Sequence, residues 1–262
     1  MQYWYPPRVG QSAVPLPMHP HWGENRNFLM SNSQLEIPEI LPYSHEKSSA
    51  YYKEMETVYL VQKNLDQKSK ENALWWGDDP AVSVSPPGHS YYLAKKLLQE
   101  HKEIKLFEAT STFAKVGISV AESFINCWKC KFHFSAERPT PYIKRVIDGS
   151  FNQFWPEPPF PAFTSGHSTQ AASAAIAMIS VFGDDTPFVD DLHEGRHRDE
   201  FRNVDFKSRS YNTIWEMAED CGYSRIEGGI HTPQDNKVGL SEGKKIGQNV
   251  VDLPWKVTEI TQ

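Results

Sequence analysis

The stretch IKLFEATSTFAKVGISVAESFINCWKCKFH, residues 104–133, decides the fold class. Phe107, Ala114, Ile118, Ala121 and Ile125 recur at intervals of seven, four, three and four, so they line one face of a long helix. On either side of it, the same periodicity predicts helices over 89–101 and 168–182. It predicts another after Ser44, with Tyr51, Tyr52, Met55, Val58, Tyr59 and Val61 on one face. Further helices follow over 68–76, 211–225 and 234–250. Period-two alternation is nearly absent, so the expected fold is an all-α helical bundle. Residues 77–88 read as a loop through Pro86, Pro87 and Gly88.

Around that bundle, residues 1–43 carry seven prolines and no sustained period. They are expected to form an irregular arm packed on the bundle through Trp4, Tyr5, Trp22, Phe28 and Leu29. Residues 44–262 are expected to be a single unit, with 183–210 as a polar, charge-dense surface excursion. The chain of 262 residues is long enough for a large core, and 13% aromatic residues argue against a solvated low-complexity chain. Its net charge of −6 argues against a partner in nucleic acid or anionic lipid, so an anion site has to be built locally. No apolar run reaches the length of a membrane span, and the first residues lack the pattern of a signal peptide. Three cysteines, Cys127, Cys130 and Cys221, do not make a disulfide framework and read as buried thiols.

Three segments then bring basic, hydroxyl and imidazole groups together. They are Lys131 to Pro139, the proline-rich Pro158 to Ser168, and Ser224 to Asp235. A tetrahedral oxyanion needs fixed cations, close backbone donors and a neutral imidazole. Lys131, Arg138 and Arg225 supply charge, and arginine offers paired N–H donors matched to an oxyanion. Ser165 and the Gly166 N–H fall at a predicted helix start, where free amides and the dipole favour anions. His231 and Asp235 are four apart, so on a helical turn the carboxylate can fix the imidazole tautomer. His167 remains as an acid or base.

K-x6-R-P at 131–139, S-G-H at 165–167 and S-R-x5-H-x3-D at 224–235 resemble, in order and spacing, the signature of the vanadium-dependent haloperoxidase and type 2 acid phosphatase superfamily. Trp155, the Pro-Pro-Phe-Pro run and Pro86-Pro-Gly-His89 are similar to its soluble bacterial haloperoxidase-like branch. Thr164 stands where that family most often has proline, a change expected to alter loop stiffness rather than chemistry. The resemblance implies a helical bundle of that type and vanadate as cofactor. It implies His231 as the vanadium-bonding imidazole oriented by Asp235, and Lys131, Arg138, Ser165, Gly166 and Arg225 as oxyanion ligands. His167 becomes the acid/base, and Trp128 and Phe160 line the halide side, where a bromoperoxidase would often have histidine at the Phe160 position. The partners implied are hydrogen peroxide, a halide and an organic acceptor where one is used, in an exported bacterial protein.

The implied activity is oxidation of halide to hypohalous acid. A soluble acid phosphatase working through a phosphohistidine on His231 is the alternative. A third reading is a non-catalytic oxyanion-binding half, since the family's additional N-terminal helices are absent from this sequence. These helices would then come from a partner or a second copy. Other features have plainer readings. Cys127-x-x-Cys130 lies within a predicted helix and reads as structural rather than zinc-binding or redox. His89 reads as part of a helix-start turn, and His193, Arg196, His197, Arg198, Arg202 and Arg209 read as a solvated face. Glu137 is placed to screen Arg138.

Overall fold

The computed structural model describes residues 17–29, 35–78 and 83–255. Trp4 and Tyr5, expected to anchor the arm, lie outside the described residues. Eight helices follow in order: α1 (Ala50–Lys63), α2 (Gln67–Trp75), α3 (Pro86–Glu100), α4 (Leu106–Phe134), α5 (Pro139–Val146), α6 (Gly166–Phe182), α7 (Ile214–Glu227) and α8 (Pro233–Val251). Between α6 and α7 a short antiparallel pair, β1 (Phe188–Asp190) and β2 (Arg209–Tyr211), aligns Phe188 with Tyr211. The fold is the helical bundle that the 104–133 periodicity predicts. Among the described residues, no helix is long and apolar enough to cross a membrane.

Helix α6 is the axis of the bundle. Ala171, Ala172, Ala174, Ala175, Ala177 and Met178 are all buried, and a helix apolar on every side belongs in a core. Small side chains let its neighbours approach closely. A Cβ on Gly243 of α8 would lie 2.2 Å from the Thr169 carbonyl, and one on Gly239 would lie 2.9 Å from the Ser165 carbonyl. Glycine at those two positions therefore seats α8 directly on the first turns of α6. Helix α4 closes a second side, and Trp75, Trp76, Leu93 and Leu97 fill the space between α2, α3 and the sheet. A smaller core joins α1 to α5 through Tyr51, Met55, Val58, Tyr142 and Ile143. The described part of the arm lies against α4: Met18 N–H donates to the Pro159 carbonyl at 2.9 Å, and Lys129 Nζ donates to the Leu35 carbonyl at 3.0 Å.

Several expectations are corrected. Pro86 to Gly88 are not loop but the first turn of α3, because proline at a helix start forfeits no hydrogen bond and the Ser85 hydroxyl caps the Gly88 N–H. Pro139 opens α5 in the same way, a helix that its prolines obscure in the sequence. The 183–210 segment is not all surface: Phe188, Asp190, His193 and Val204 are buried. His193 is therefore not part of a solvated face, and Arg209 pairs with Asp220 at 2.9 Å. Glu137 does not screen Arg138, since its carboxylate takes both Nη groups of Arg145, at 2.9 and 2.8 Å.

Candidate oxyanion site

The three sequence segments converge at one end of the bundle, and helix ends present most of the residues. Lys131 lies in the last turn of α4, Arg138 is the N-cap of α5, and Ser165 is the N-cap of α6 with Gly166 and His167 next. Arg225 closes α7, and His231 immediately precedes the N-cap Thr232 of α8. Lys131, Arg138, Ser165 and Arg225 are fully buried, and His231 and Asp235 nearly so.

The proline-rich loop is built to hold cations. Proline has no N–H, so the loop offers mainly carbonyl acceptors. Lys131 Nζ donates to the carbonyls of Pro161 at 3.0 Å and Ala162 at 2.8 Å, and also to that of Thr164. Arg138 donates through Nε to the Phe160 carbonyl at 3.1 Å and through Nη2 to that of Pro161 at 3.3 Å. Thr164 has a specific place here, its hydroxyl lying 3.4 Å from Thr169 Oγ1 and 3.5 Å from Cys127 Sγ. Arg225 donates to the Ala73 carbonyl at 2.6 Å and to Ser224 Oγ at 2.9 Å, while its Nη1 has no partner among the described residues. None of the three cations meets a carboxylate within ion-pair distance among the described residues. Burial lowers the pKa of Lys131 to about 8 and of Arg138 and Arg225 to about 10, as expected for uncompensated charge in a dry site.

The imidazoles are neutral. His231 Nδ1 lies 3.0 Å from Asp235 Oδ2, and that same oxygen accepts the Thr232 N–H at 3.1 Å, closing the capping box of α8. With Nδ1–H donating to Asp235, Nε2 carries the lone pair, and Arg138 Nη1 donates to it at 3.0 Å. Burial first, then Arg138 and Lys131, hold the His231 pKa well below its usual value. Burial also raises Asp235, to about 6. His167 is partly buried over its whole surface, but its Nε2 is shielded from solvent and has no partner among the described residues. Burial first, then Arg225, push its pKa down to about 3, with the Trp76 backbone beside the ring acting in the opposite direction.

Trp128 and Phe160 stand together, ring centres 4.9 Å apart. Lys131 Nζ lies 5.8 Å from one ring centre and 5.3 Å from the other. Cys127 and Cys130 are free and buried, in keeping with the structural reading. Sequence reasoning missed the last turn of α2, where the Ala73 carbonyl holds Arg225 and the Trp76 backbone lies beside His167. Its only sequence signal is the Trp75-Trp76 pair beside a glycine.

The arrangement suits a tetrahedral oxyanion. Uncompensated buried cations, an orphaned guanidinium nitrogen and an orphaned imidazole nitrogen at a helix start are what such a ligand would satisfy.

Residues 147–259 match the family of the VCPO second helical-bundle domain. No curated protein matches the chain in sequence. Among solved structures, a bacterial vanadium-dependent iodoperoxidase is similar with 29% identity and a TM-score of 0.84, over 95% of this chain and 60% of that one. The holo-type bacterial vanadium-dependent chloroperoxidase shares the fold with 16% identity and a TM-score of 0.75, over 94% of this chain and 56% of that one. The chain thus spans about 60% of the length of the relatives it matches. The likeness is thus to the VCPO second helical-bundle domain over residues 147–259 and, over 95% of the chain, to the fold of the bacterial vanadium-dependent iodoperoxidase.

Proposed function

We propose that this chain carries a vanadate-dependent haloperoxidase centre that oxidises halide with hydrogen peroxide to hypohalous acid. The observation that carries it is the meeting of three buried cations, unpaired by any described carboxylate, beside the Nε2 atoms of His231 and His167. Lys131, Arg138 and Arg225 would hold the oxyanion oxygens, with Ser165 Oγ and the Gly166 N–H at the start of α6. His231 Nε2 would be the direct ligand of vanadium. Bound there, vanadate would supply a Lewis-acid centre that activates hydrogen peroxide without changing oxidation state.

The protein groups do the rest. Asp235 keeps the proton of His231 on Nδ1, so Nε2 stays a lone-pair donor. His167 Nε2 takes a proton from the incoming peroxide and returns it to the leaving oxygen. Its low pKa rises when a bound anion offsets Arg225. Buried cations polarise the oxyanion oxygens with little solvent reorganisation. The Trp128 and Phe160 rings wall the halide side and exclude water.

The iodoperoxidase likeness supports the peroxidase reading over phosphate-ester hydrolysis, which needs the same His231 lone pair. The test is peroxide-dependent oxidation of iodide, bromide and chloride by folded protein reconstituted with vanadate. Halide oxidation in the isolated chain is the expected result. Hydrolysis of a phosphomonoester that vanadate inhibits, without halide oxidation, would overturn the proposal in favour of the phosphatase. Sedimentation of the active species tests whether a second copy or a partner is required.

A further inference from the structure

Behind the site, a buried chain of groups braces the last turn of α2. His89 is pinned between two carboxylates: Nδ1 lies 2.9 Å from Asp78 Oδ1, and Nε2 lies 2.8 Å from Asp190 Oδ2. All three side chains are almost wholly buried. A ring with a carboxylate on each nitrogen is an imidazolium donating both hydrogens, and it neutralises one of the two buried charges. The same Asp190 oxygen accepts the Trp75 indole N–H at 2.7 Å. The Trp76 ring stacks on His89, centres 4.4 Å apart and planes 22° from parallel, and its indole N–H donates to Asp220 at 3.0 Å.

What this assembly holds is backbone. Trp75 and Trp76 end α2, and carbonyls at a helix end have no partner within the helix. Here two such groups face the oxyanion site: the Ala73 carbonyl takes Arg225 Nη2 at 2.6 Å, and the Trp76 backbone lies beside the His167 ring. The Ala73 bond leaves Nη1 of Arg225 as its unpartnered donor, and Nε2 of His167, beside the Trp76 backbone, has no partner among the described residues.

Asp78, His89 and His193 also offer ligand atoms within 4.8 Å of one another, the spacing of a metal centre. Hydrogen bonding argues against that use. Both nitrogens of His89 are engaged by carboxylates, and Arg196 Nη1 lies 3.3 Å from His193 Nδ1. Arginine only donates, so the proton of His193 sits on Nε2, which lies 3.5 Å from Asp78 without a hydrogen bond to it.

We propose that Asp190, His89 and Trp76 form a positioning unit for the oxyanion site, fixing the last turn of α2 so that its backbone aims Arg225 and His167. This rests on the reading of the site given above. No member of the unit touches the ligand, so each is a positioning residue and none is catalytic.

The test uses the full chain and Asp190→Asn, which keeps the shape but removes the charge that holds His89. Phosphate binding is measured by calorimetry for wild type, Asp190→Asn, Arg225→Ala and the double variant. The expected result is about tenfold weaker binding for Asp190→Asn, and a double variant no weaker than Arg225→Ala alone. Full additivity would overturn the proposal, because Asp190 would then not act through Arg225. A second arm needs no ligand: nitrogen-15 spectra of the histidines should show one fixed His167 tautomer in wild type and a mixture in Asp190→Asn. An unchanged His167 signal overturns the proposal.

Val250→Ala, at the end of α8 away from His231, controls for stability loss and should alter neither readout. If Asp190→Asn does not fold, Trp76→Phe is read in the same two ways. It keeps the backbone carbonyl while shrinking the stacked face and losing the bond to Asp220. Failure of wild type to bind phosphate or vanadate would count against the oxyanion site itself, and the histidine spectra would still decide the positioning unit. One equivalent of zinc released by chelation, with loss of the His89 bonds, would overturn it.

Discussion

Nη1 of Arg138 lies 3.0 Å from Nε2 of His231, so a buried guanidinium occupies the lone pair through which the imidazole would bind vanadium. On the proposed function, Arg138 and the incoming atom would compete for one nitrogen, and Arg138 would have to turn its N–H toward the oxyanion oxygens as His231 engages.

His231→Ala therefore separates two kinds of anion. Vanadate retention, which needs the nitrogen bond, should be lost. Phosphate held only by charge should bind at least as well, because Arg138 is released. His167→Ala should keep vanadate and lose turnover by about 100-fold or more, as for removal of an acid/base. Vanadium content after gel filtration and the rate of halide oxidation check both, and equal loss of vanadate in the two variants contradicts the roles.

Lys131 sets a pH limit. Its pKa, lowered to about 8 by burial, lies below that of the unfolded chain, so between the two values the unfolded state binds more protons. Stability of the ligand-free chain should therefore gain a favourable contribution from Lys131 as pH rises above about 8. Oxyanion affinity should fall over the same range, since the ligand needs the ammonium. Melting curves and phosphate titrations from pH 7 to 10 check the opposite signs, and Lys131→Met should flatten both.

The side chains of Trp128 and Phe160 meet the cations through their ring faces, the Phe160 carbonyl being a separate acceptor for Arg138. Trp128→Phe should change the KM for halide several-fold while vanadate affinity moves little. Phe160→His should shift the preference among iodide, bromide and chloride. Steady-state kinetics with each halide decide this, and a parallel loss of vanadate would make the rings structural.

Gly243→Ala places a methyl group 2.2 Å from the Thr169 carbonyl, so α8 must move off α6. A loss of about 1–3 kcal/mol is expected, typical of overpacking, and is read from the denaturant midpoint. Because Thr169 N–H donates to the Ser165 carbonyl at the start of α6, oxyanion affinity should fall with it.

The parts of the site legible in the sequence are local. Ser165 caps the helix it precedes, and His231 and Asp235 sit one turn apart, so spacing alone anticipates both contacts. The long period of α4 is legible for the same reason. Asp190 and His193 are not: they lie in a charge-rich stretch, and their burial depends on Trp75 and His89, more than a hundred residues earlier. Glu137 illustrates the limit of adjacency, since the arginine it holds is eight residues on rather than next door. A carbonyl acceptor such as that of Ala73 belongs to no residue type, and only the path of the chain reveals it.

One carboxylate oxygen of Asp235 both caps α8 and holds the proton of His231. Folding of that terminus and readiness of the imidazole are therefore a single event. Any fluctuation that frays the first turn of α8 scrambles the tautomer at the same instant. A helix start that is loose no longer fixes the imidazole through Asp235, so local hydrogen-exchange protection at Thr232 should report on the fraction of molecules competent to bind.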